Sequence, residues 1–235
     1  MSELIDSLKG GLIVSCQADE KTPLGQPHVI AALAEAAQRG GAAGIRANGP
    51  ANLTAVCTAV SIPVIAIYKV VSQGSDVYIT PAPATAREIH KACGRSELIV
   101  AFDATNRPRN GGGTWRDVLK CLHDELGVLA MADVSTRSEG IEAAEAGADI
   151  IATTLSGYTA YTLDHASAGG PDLALVAALA EQYGIPVVCE GRVRTAEDAA
   201  AAFAAGAHAV VVGTAITAID VVTRRFVSSM RLNRT

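Results

Sequence analysis

The chain has 235 residues, of which 24 are acidic and 19 basic, and its formal net charge is −5. This balance, without a long basic run, disfavours a surface for nucleic acid or anionic membranes and favours a small-molecule partner. No apolar stretch approaches the roughly 20 residues of a membrane span. The N-terminus also lacks the pattern of a secretion signal. Together these features predict a cytoplasmic protein.

Apolar runs of strand length alternate with Ala-rich helical stretches along the whole sequence. The runs predicted to be strands are GLIVSCQA from Gly11, AAGIRAN from Ala42, PVIAIYK from Pro63, LIVAFDAT from Leu98, VLAMADV from Val128, IIATT from Ile150, PVVCEG from Pro186 and AVVVG from Ala209. Such α/β alternation gives an open doubly wound sheet or a closed barrel, and eight units favour the closed (β/α)8 barrel. No segment resembles a linker, so residues 1–235 are predicted to form a single domain.

Three segments between these strands have apolar residues at helical spacing, beginning at His28, Thr114 and Thr195. The five cysteines are widely scattered and form no CxxC pair; they are Cys16, Cys57, Cys93, Cys121 and Cys189. This spacing favours reduced thiols that pack as small hydrophobic residues over a metal site or a disulfide.

Polar residues follow the first seven predicted strands. In strand order they are Gln17, Arg46, Lys69, Asp103, Asp133, Thr153 with Thr154, and Glu190. Because the C-terminal strand ends of a barrel share one mouth, these groups are expected to converge. Threonines and aspartates at such positions can also simply cap turns. Charged side chains that directly follow apolar residues, as at Arg46, Lys69 and Glu190, point more strongly to a functional site.

Glycines follow the last two predicted strands. Gly191 and Arg192 come after Glu190, and Gly213 and Thr214 precede the last helix. Glycines let backbone N–H groups approach an anion, and the loops after strands 7 and 8 are the usual phosphate site of such barrels. The alternative is that these residues only form turns. Phosphate binding is the favoured prediction.

Two loops are unusually long or basic. Residues 106–113 read NRPRNGGG, and residues 158–170 read YTAYTLDHASAGG. Each could act as a mobile lid or as a solvated connection. His165 in the second loop is expected to be a solvent-facing residue and not a catalyst.

Eight motifs occur in order along the chain: GLIVSCQA, GGAAGIRAN, SDVYITP, MADVST, TTLSGYT, PDLALV, EGR and AHAVVVGTAIT. Together they resemble the N-acylglucosamine-6-phosphate 2-epimerases, also called N-acetylmannosamine-6-phosphate epimerases. The resemblance implies a (β/α)8 TIM barrel of the ribulose-phosphate-binding type. It also implies an isomerase of sialic acid catabolism that interconverts N-acetylmannosamine 6-phosphate and N-acetylglucosamine 6-phosphate without cofactor or metal.

The same resemblance implies roles for individual residues. Lys69 and Glu190 correspond to the catalytic lysine and glutamate of the family. The residues predicted to bind substrate are Gln17, Arg46, Asp133, Thr153, Gly191, Arg192, Gly213 and Thr214. Family members often have an arginine directly after AIT, where this chain has Ala218. That cationic contact is therefore either missing in this chain or supplied by Arg192, or by Arg107 or Arg109 of the basic loop.

Epimerisation at C2 requires a base and a means of stabilising an enolate. Lys69 can be the base if desolvation and the charge of Arg46 lower its pKa. Arg46 and Gln17 are then expected to hold the oxygen on which negative charge develops. The sequence leaves open whether one group or two serve the two faces of C2. A Schiff-base aldolase using Lys69 and a non-catalytic sugar-phosphate-binding protein are the alternatives. A homodimer is also predicted, with the apolar segment IDVVTRRFVSSM at its contact.

Overall fold

The computed structural model describes residues 2–166 and 169–232 and contains a closed barrel of eight parallel strands in sequence order. The strands are β1 Leu12–Cys16, β2 Gly44–Asn48, β3 Val64–Ile67, β4 Ile99–Asp103, β5 Leu129–Asp133, β6 Ile150–Ala152, β7 Val187–Glu190 and β8 Ala209–Val212. The first and last strands close the barrel, with Val14 beside Val212. The predicted (β/α)8 barrel and all eight predicted strands are confirmed.

One short helix precedes the first strand, and the other helices follow the strands around the outside of the barrel. They are α1 Glu3–Asp6, α2 Pro27–Arg39, α3 Pro50–Ala59, α4 Pro83–Cys93, α5 Trp115–Lys120, α6 Arg137–Glu145, α7 Leu173–Tyr183, α8 Ala196–Ala204, α9 Thr214–Thr217 and α10 Ile219–Leu232. α5 continues into a π-helix over Cys121–Glu125, and short 3-10 helices occupy Pro23–Gly25 and Leu163–Ala166. None of the helices described is long and apolar enough to cross a membrane.

Successive side chains along each strand point to opposite sides of the barrel wall, and this alternation divides the core into two layers. In β1, Ile13 belongs to the cluster inside the barrel, and Val14 to the cluster between the barrel and the helices. The inner cluster includes Ile65, Ile67, Ile99, Met131 and Val188. Because these branched and long side chains fill the barrel axis, a ligand can enter only at the ends of the strands and not along the axis. The functional groups are therefore displayed above a packed floor.

Two of the five cysteines are oxidised. Cys57 of α3 and Cys93 of α4 form a disulfide with a Cα–Cα distance of 5.6 Å. The prediction of reduced thiols is wrong for this pair, because α3 and α4 pack side by side and join residues that are 36 positions apart. Cys16, Cys121 and Cys189 are free and buried, as the sequence predicts.

Candidate active site

A cavity of about 350 Å³ opens at the C-terminal ends of the strands. The predicted site residues that line it are Gln17, Arg46, Lys69, Glu190, Gly191, Arg192, Gly213 and Thr214. Asp133 lies behind this lining and reaches the cavity through its contact with Arg46. The folding of the barrel thus gathers residues that are spread over nearly 200 positions of sequence, roughly the whole span from strand 1 to strand 8.

Arg46, on β2, joins two carboxylates in the floor of the cavity. Its Nη1 donates to Oδ1 of Asp133 at 3.2 Å and lies 2.9 Å from Oε2 of Glu190, while Nη2 pairs with Oδ2 of Asp133 at 2.5 Å. Burial acts to lower the pKa of Arg46, but the charges of Asp133 and Glu190 outweigh it and raise that pKa above its ordinary value. Arg46 therefore stays positively charged and neutralises the buried acids.

Lys69 lies two residues beyond β3, in a segment that turns back on itself. Its backbone N–H donates to Oδ1 of Asn48 at 2.8 Å, and its backbone pairs in antiparallel fashion with Ile79. The predicted strand from Pro63 to Lys69 is thus shorter at its C-terminal end. These two contacts fix the Cα of Lys69, while its side chain remains accessible from the cavity.

The surroundings of Lys69 favour its neutral form. Displacement of water from around the amine lowers the pKa of Lys69, and the charge of Arg46 lowers it further. Glu190 and Asp133 act in the opposite direction without cancelling the shift. A larger fraction of Lys69 is therefore unprotonated than for a lysine in water, as a general base requires.

Glu190 ends β7, and its side chain is 14% exposed. Burial raises the pKa of Glu190, with the charge of Arg46 opposing that shift. The hydroxyl of Thr154 lies 2.7 Å from Oδ1 of Asp133 and 3.3 Å from Oε2 of Glu190, and can donate to either. Glu190 is held in place from two sides and retains a proton more readily than an exposed glutamate does.

Thr153 and Thr154 have different surroundings. The hydroxyl of Thr153 donates to the backbone oxygen of Glu190 and accepts from its backbone N–H, each at 3.1 Å. Thr153, which the sequence placed in the substrate-binding set, is therefore engaged with the barrel backbone. Thr154 lines the cavity instead. Both threonines follow the end of β6 at Ala152, and of the two only Thr154 lines the cavity.

Two buried polar atoms at the cavity lack a hydrogen-bond partner among the described residues: Oε1 of Gln17 and Nε of Arg46. The amide nitrogen of Gln17 is already engaged, because it donates to Oγ of Ser15 at 2.7 Å. Buried polar groups in folded proteins are rarely left unpaired. An acceptor and a donor without partners, on two side chains that line this cavity, therefore indicate a polar ligand with complementary groups.

The loops after β7 and β8 approach the cavity closely. Gly191 has a φ of 104°, a conformation that favours glycine. A Cβ at Gly213 would lie 3.2 Å from Cβ of Ser15, so the loop after β8 can lie against β1 with least strain if this residue is glycine. Both glycines bring backbone close to the ligand space, as the sequence predicts for an anion site.

Arg192 uses its side-chain donors to bond the protein backbone. It has a φ of 58°, and its Nε, Nη1 and Nη2 donate to the backbone oxygens of Gly170, Ser156 and His165 at 2.7, 2.5 and 3.3 Å. These three bonds hold the loop after β6 against the cavity wall and stabilise the left-handed backbone of Arg192. His165 itself has a side chain 45% exposed, as expected for a loop residue.

The basic loop at residues 106–113 also uses its arginines internally. Nη2 of Arg107 donates to Oδ2 of Asp103 at 2.6 Å, and Nη2 of Arg109 donates to the backbone oxygen of Asp103 at 2.5 Å. Neither arginine lines the cavity. All three side chains expected to replace a charge at Ala218 are thus engaged with the protein.

The cavity is also lined by side chains that were not predicted from the sequence, among them Tyr78, Tyr158, Arg194 and Arg225. Tyr78 belongs to the quoted motif SDVYITP, and Tyr158 to TTLSGYT, so both could have been found from these motifs. Arg194 follows EGR by two positions. Nothing in the sequence indicates that Arg225 of α10 reaches the cavity, because the direction of a terminal helix depends on tertiary packing.

A base whose pKa is lowered and an acid whose pKa is raised are the groups that proton-transfer enzymes need. Their meeting at the C-terminal mouth of a closed (β/α)8 barrel defines the class as a barrel enzyme of acid–base chemistry. A family model described as "NanE: Putative N-acetylmannosamine-6-phosphate epimerase" matches residues 30–232. The chain belongs to this family.

Individual relatives are similar to this protein over nearly the whole length of its chain. A protein of Caldanaerobacter subterraneus subsp. tengcongensis, named "Putative N-acetylmannosamine-6-phosphate 2-epimerase", is 46% identical over 99% of this chain and 96% of its own. A protein of Clostridioides difficile with the same name is 41% identical over 98% of this chain and 100% of its own. The N-acetylmannosamine-6-phosphate 2-epimerase structure from Clostridium perfringens has a TM-score of 0.89 at 39% identity, covering 97% and 96% of the two chains. A thiamine phosphate pyrophosphorylase from Pyrococcus furiosus, at 16% identity and a TM-score of 0.61, shares the fold alone.

Proposed function

We propose that this protein interconverts N-acetyl-D-mannosamine 6-phosphate and N-acetyl-D-glucosamine 6-phosphate, as an isomerase of amino sugar and sialic acid catabolism. The observation that carries the proposal is the convergence of Lys69 and Glu190, with opposite pKa shifts, around the buried charge of Arg46. The names of the relatives supply the substrate. The reaction needs only proton transfer and charge stabilisation, which these side chains can provide.

In the open-chain sugar, the hydrogen at C2 lies beside the C1 aldehyde and is acidic. Neutral Lys69 takes this proton, and the electrons of the C–H bond move onto the aldehyde oxygen to give an enolate. Glu190 in its protonated form then delivers a proton to the opposite face of C2, and the aldehyde re-forms. This turnover leaves Lys69 protonated and Glu190 ionised, which is the state that runs the reverse reaction with the two roles exchanged. Proton exchange with solvent returns the pair to its starting state for another forward turnover.

The atoms without a partner fit this sequence of steps. Nε of Arg46 can donate to the enolate oxygen, since its Nη1 and Nη2 are occupied by Asp133 and Glu190. Oε1 of Gln17 can accept the N–H of the acetamido group, because its own amide nitrogen is engaged with Ser15. The backbone of the loops at Gly191 and Gly213 would approach the phosphate.

Proton NMR of N-acetylmannosamine 6-phosphate with the enzyme in D2O tests the function. We expect deuterium at C2 of both epimers at equilibrium, and product labelled in its first turnover because the returning proton comes from a second, solvent-exchanged group. First-turnover product that keeps its hydrogen would assign both steps to one base. An absence of exchange with any N-acetyl hexosamine 6-phosphate would rule out the proposed reaction.

The aldolase alternative is tested on the same sample. A Schiff base would join Lys69 covalently to a carbonyl substrate, and borohydride would reduce this adduct to a stable amine. We expect no mass increase on Lys69 after borohydride treatment in the presence of substrate. A trapped adduct would support the aldolase and contradict the epimerase mechanism. Turnover itself excludes a sugar-phosphate-binding protein without activity.

We further propose that residues 1–235 act as one barrel domain and that two copies form a homodimer through α10. This helix exposes Ile219, Phe226 and Met230, which are 54%, 69% and 67% accessible. An apolar groove runs over β8 and β1 beside α8, lined by residues such as Phe203 and Val212. It shares Arg194 and Ala215 with the lining of the cavity, and no described residue of α10 of the same chain lines it. The helix of a second copy is the occupant that matches this groove, and two-fold symmetry would fill both grooves.

The oligomeric state is measured by sedimentation velocity over a range of protein concentrations. We expect the wild type to sediment as a dimer and Phe226→Asp as a monomer, since the charge would enter an apolar contact. Leu163→Asp is the control, because Leu163 is 61% exposed but lies in the loop after β6. A monomeric wild type, or a Phe226→Asp variant that dimerises like the control, would contradict the proposed contact.

The predicted cytoplasmic location follows from the proposed substrate. A sugar phosphate carries a charge that does not cross a bilayer unaided, so the enzyme must share the compartment in which the sugar is phosphorylated. The Cys57–Cys93 disulfide weighs against this location, since cytosolic thiols are generally kept reduced. The expected absence of nucleic-acid and membrane partners stays a prediction from the charge balance.

A further inference from the structure

Two arginines line the cavity on its β7 and β8 side and have no anionic partner in the part of the chain that the structure describes. Arg194 lies in the loop after β7, and Arg225 lies on α10. Both side chains are solvent-exposed. Within residues 2–166 and 169–232, neither guanidinium takes part in an ion pair. Their charges are therefore available to a ligand in the cavity.

The other cations of the cavity are already engaged. Arg46 neutralises two carboxylates, and the donors of Arg192 are directed at three backbone oxygens. Lys69 must be neutral to act as the base, so it cannot also serve as a permanent counter-ion. The exposed pair Arg194 and Arg225 is what remains on the lining to neutralise an anionic group.

We propose that Arg194 and Arg225 bind the phosphate of the substrate and set the preference for phosphorylated over unphosphorylated sugars. A phosphate monoester carries about −1.5 to −2 charge at pH 7 and three acceptor oxygens. The planar donors of arginine match this geometry, and arginine keeps its charge at every working pH. The identity of the phosphorylated sugar rests on the proposed function, whereas the position of the two cations does not.

The contrast between neighbouring arginines of α10 gives the test. Arg225→Gln and Arg194→Gln are compared with Arg224→Gln, whose guanidinium instead bonds Asp220 at 2.6 Å on the helix surface. For each of the first two variants we expect KM for N-acetylmannosamine 6-phosphate to rise about tenfold or more, with a smaller change in kcat. The ratio of kcat/KM for phosphorylated over unphosphorylated sugar should fall. The Arg224→Gln control should stay within about twofold of wild type in every constant.

Binding of inorganic phosphate, measured by titration calorimetry, separates this inference from the epimerase function. We expect the phosphate Kd to rise in Arg194→Gln and Arg225→Gln and to stay unchanged in Arg224→Gln. If the wild type lacks epimerase activity but phosphate binding still depends on these arginines, the proposed epimerase function is refuted and the proposed anion site is supported. Should KM and phosphate affinity of both variants match the control, with circular dichroism showing all variants folded, the inference is overturned and the loop backbones hold the phosphate.

Discussion

Replacing Lys69 with alanine is expected to lower kcat for epimerisation by about 10²- to 10⁴-fold, the usual contribution of a positioned general base. The side chain is accessible from the cavity, and its backbone is held by Asn48 and Ile79, so the substitution removes the amine without disturbing the strands. Isotope exchange at C2 in D2O should fall in parallel with turnover. Thermal unfolding should match wild type, because no other described side chain depends on the Lys69 amine for a hydrogen bond.

The matched control is Lys91→Ala, on the exposed surface of α4. This variant makes the same side-chain truncation outside the cavity and should keep wild-type turnover. If Lys69→Ala retained turnover and C2 exchange at the level of Lys91→Ala, Lys69 would not be the base. Exchange at C2 of N-acetylglucosamine 6-phosphate that survives without epimerisation would show that Glu190 still serves the other face of C2, as the proposed mechanism requires.

The pH dependence of kcat/KM gives an independent check on the pair. The reactive state holds one proton between Lys69 and Glu190, so activity rises as the doubly protonated pair loses its first proton and falls as it loses its last. The acid limb should lie above the ordinary pKa of a glutamate, because burial raises the pKa of Glu190. The basic limb should lie below the ordinary pKa of a lysine, because desolvation and Arg46 lower the pKa of Lys69. Limbs at the ordinary values would contradict this assignment.

Replacing Arg46 with alanine is expected to reduce the free energy of unfolding by about 3 to 5 kcal/mol, the cost of removing one partner of a buried ion pair. Arg46 is 1% exposed, and Asp133 and Glu190 are 0% and 14% exposed, so both acids would lose their counter-charge inside the protein. The excess negative charge should force one carboxyl to take up a proton. Urea unfolding followed by circular dichroism measures the loss.

Arg39→Ala is the control for the same side-chain truncation. Its ion pair with Glu35 is 77% and 46% exposed, and surface pairs of this kind contribute less than about 1 kcal/mol. Arg46→Lys keeps a charge but not the fork that reaches both acids, so it should lose less stability than Arg46→Ala and should fold if the alanine variant does not. If both Arg46 variants unfolded at the same urea concentration as Arg39→Ala, the bridging role would be refuted.

The local pattern of the sequence determined the barrel. Runs such as VVV in β8 and IVAF in β4 are apolar on both faces, which is the signature of a parallel strand covered on both sides. Once eight such strands close, every strand end lies at one mouth. The positions of Lys69, Arg46 and Glu190 at the cavity therefore followed from sequence alone.

The partner of each polar side chain was decided by tertiary structure. The ion pair of Arg46 with Asp133 was not predicted, because 87 residues separate the two and only the pairing of strands around the barrel brings them together. Arg192 was expected at the phosphate, but its donors meet the loop after β6. The sequence indicates that a buried charged residue needs a partner, but it does not indicate which residue is close enough to be that partner.

The remaining differences have the same cause. The Cys57–Cys93 disulfide depends on two helices being neighbours, and the arrival of Arg225 at the cavity depends on the course of α10 after the last strand. Strand and helix formation respond to residues within a few positions, so composition and periodicity reveal them. Contacts between distant residues depend on the packed three-dimensional arrangement. The sequence by itself determined the barrel and its ring of polar strand ends, and the tertiary structure decided which of these groups hold the protein together and which are left free for the substrate.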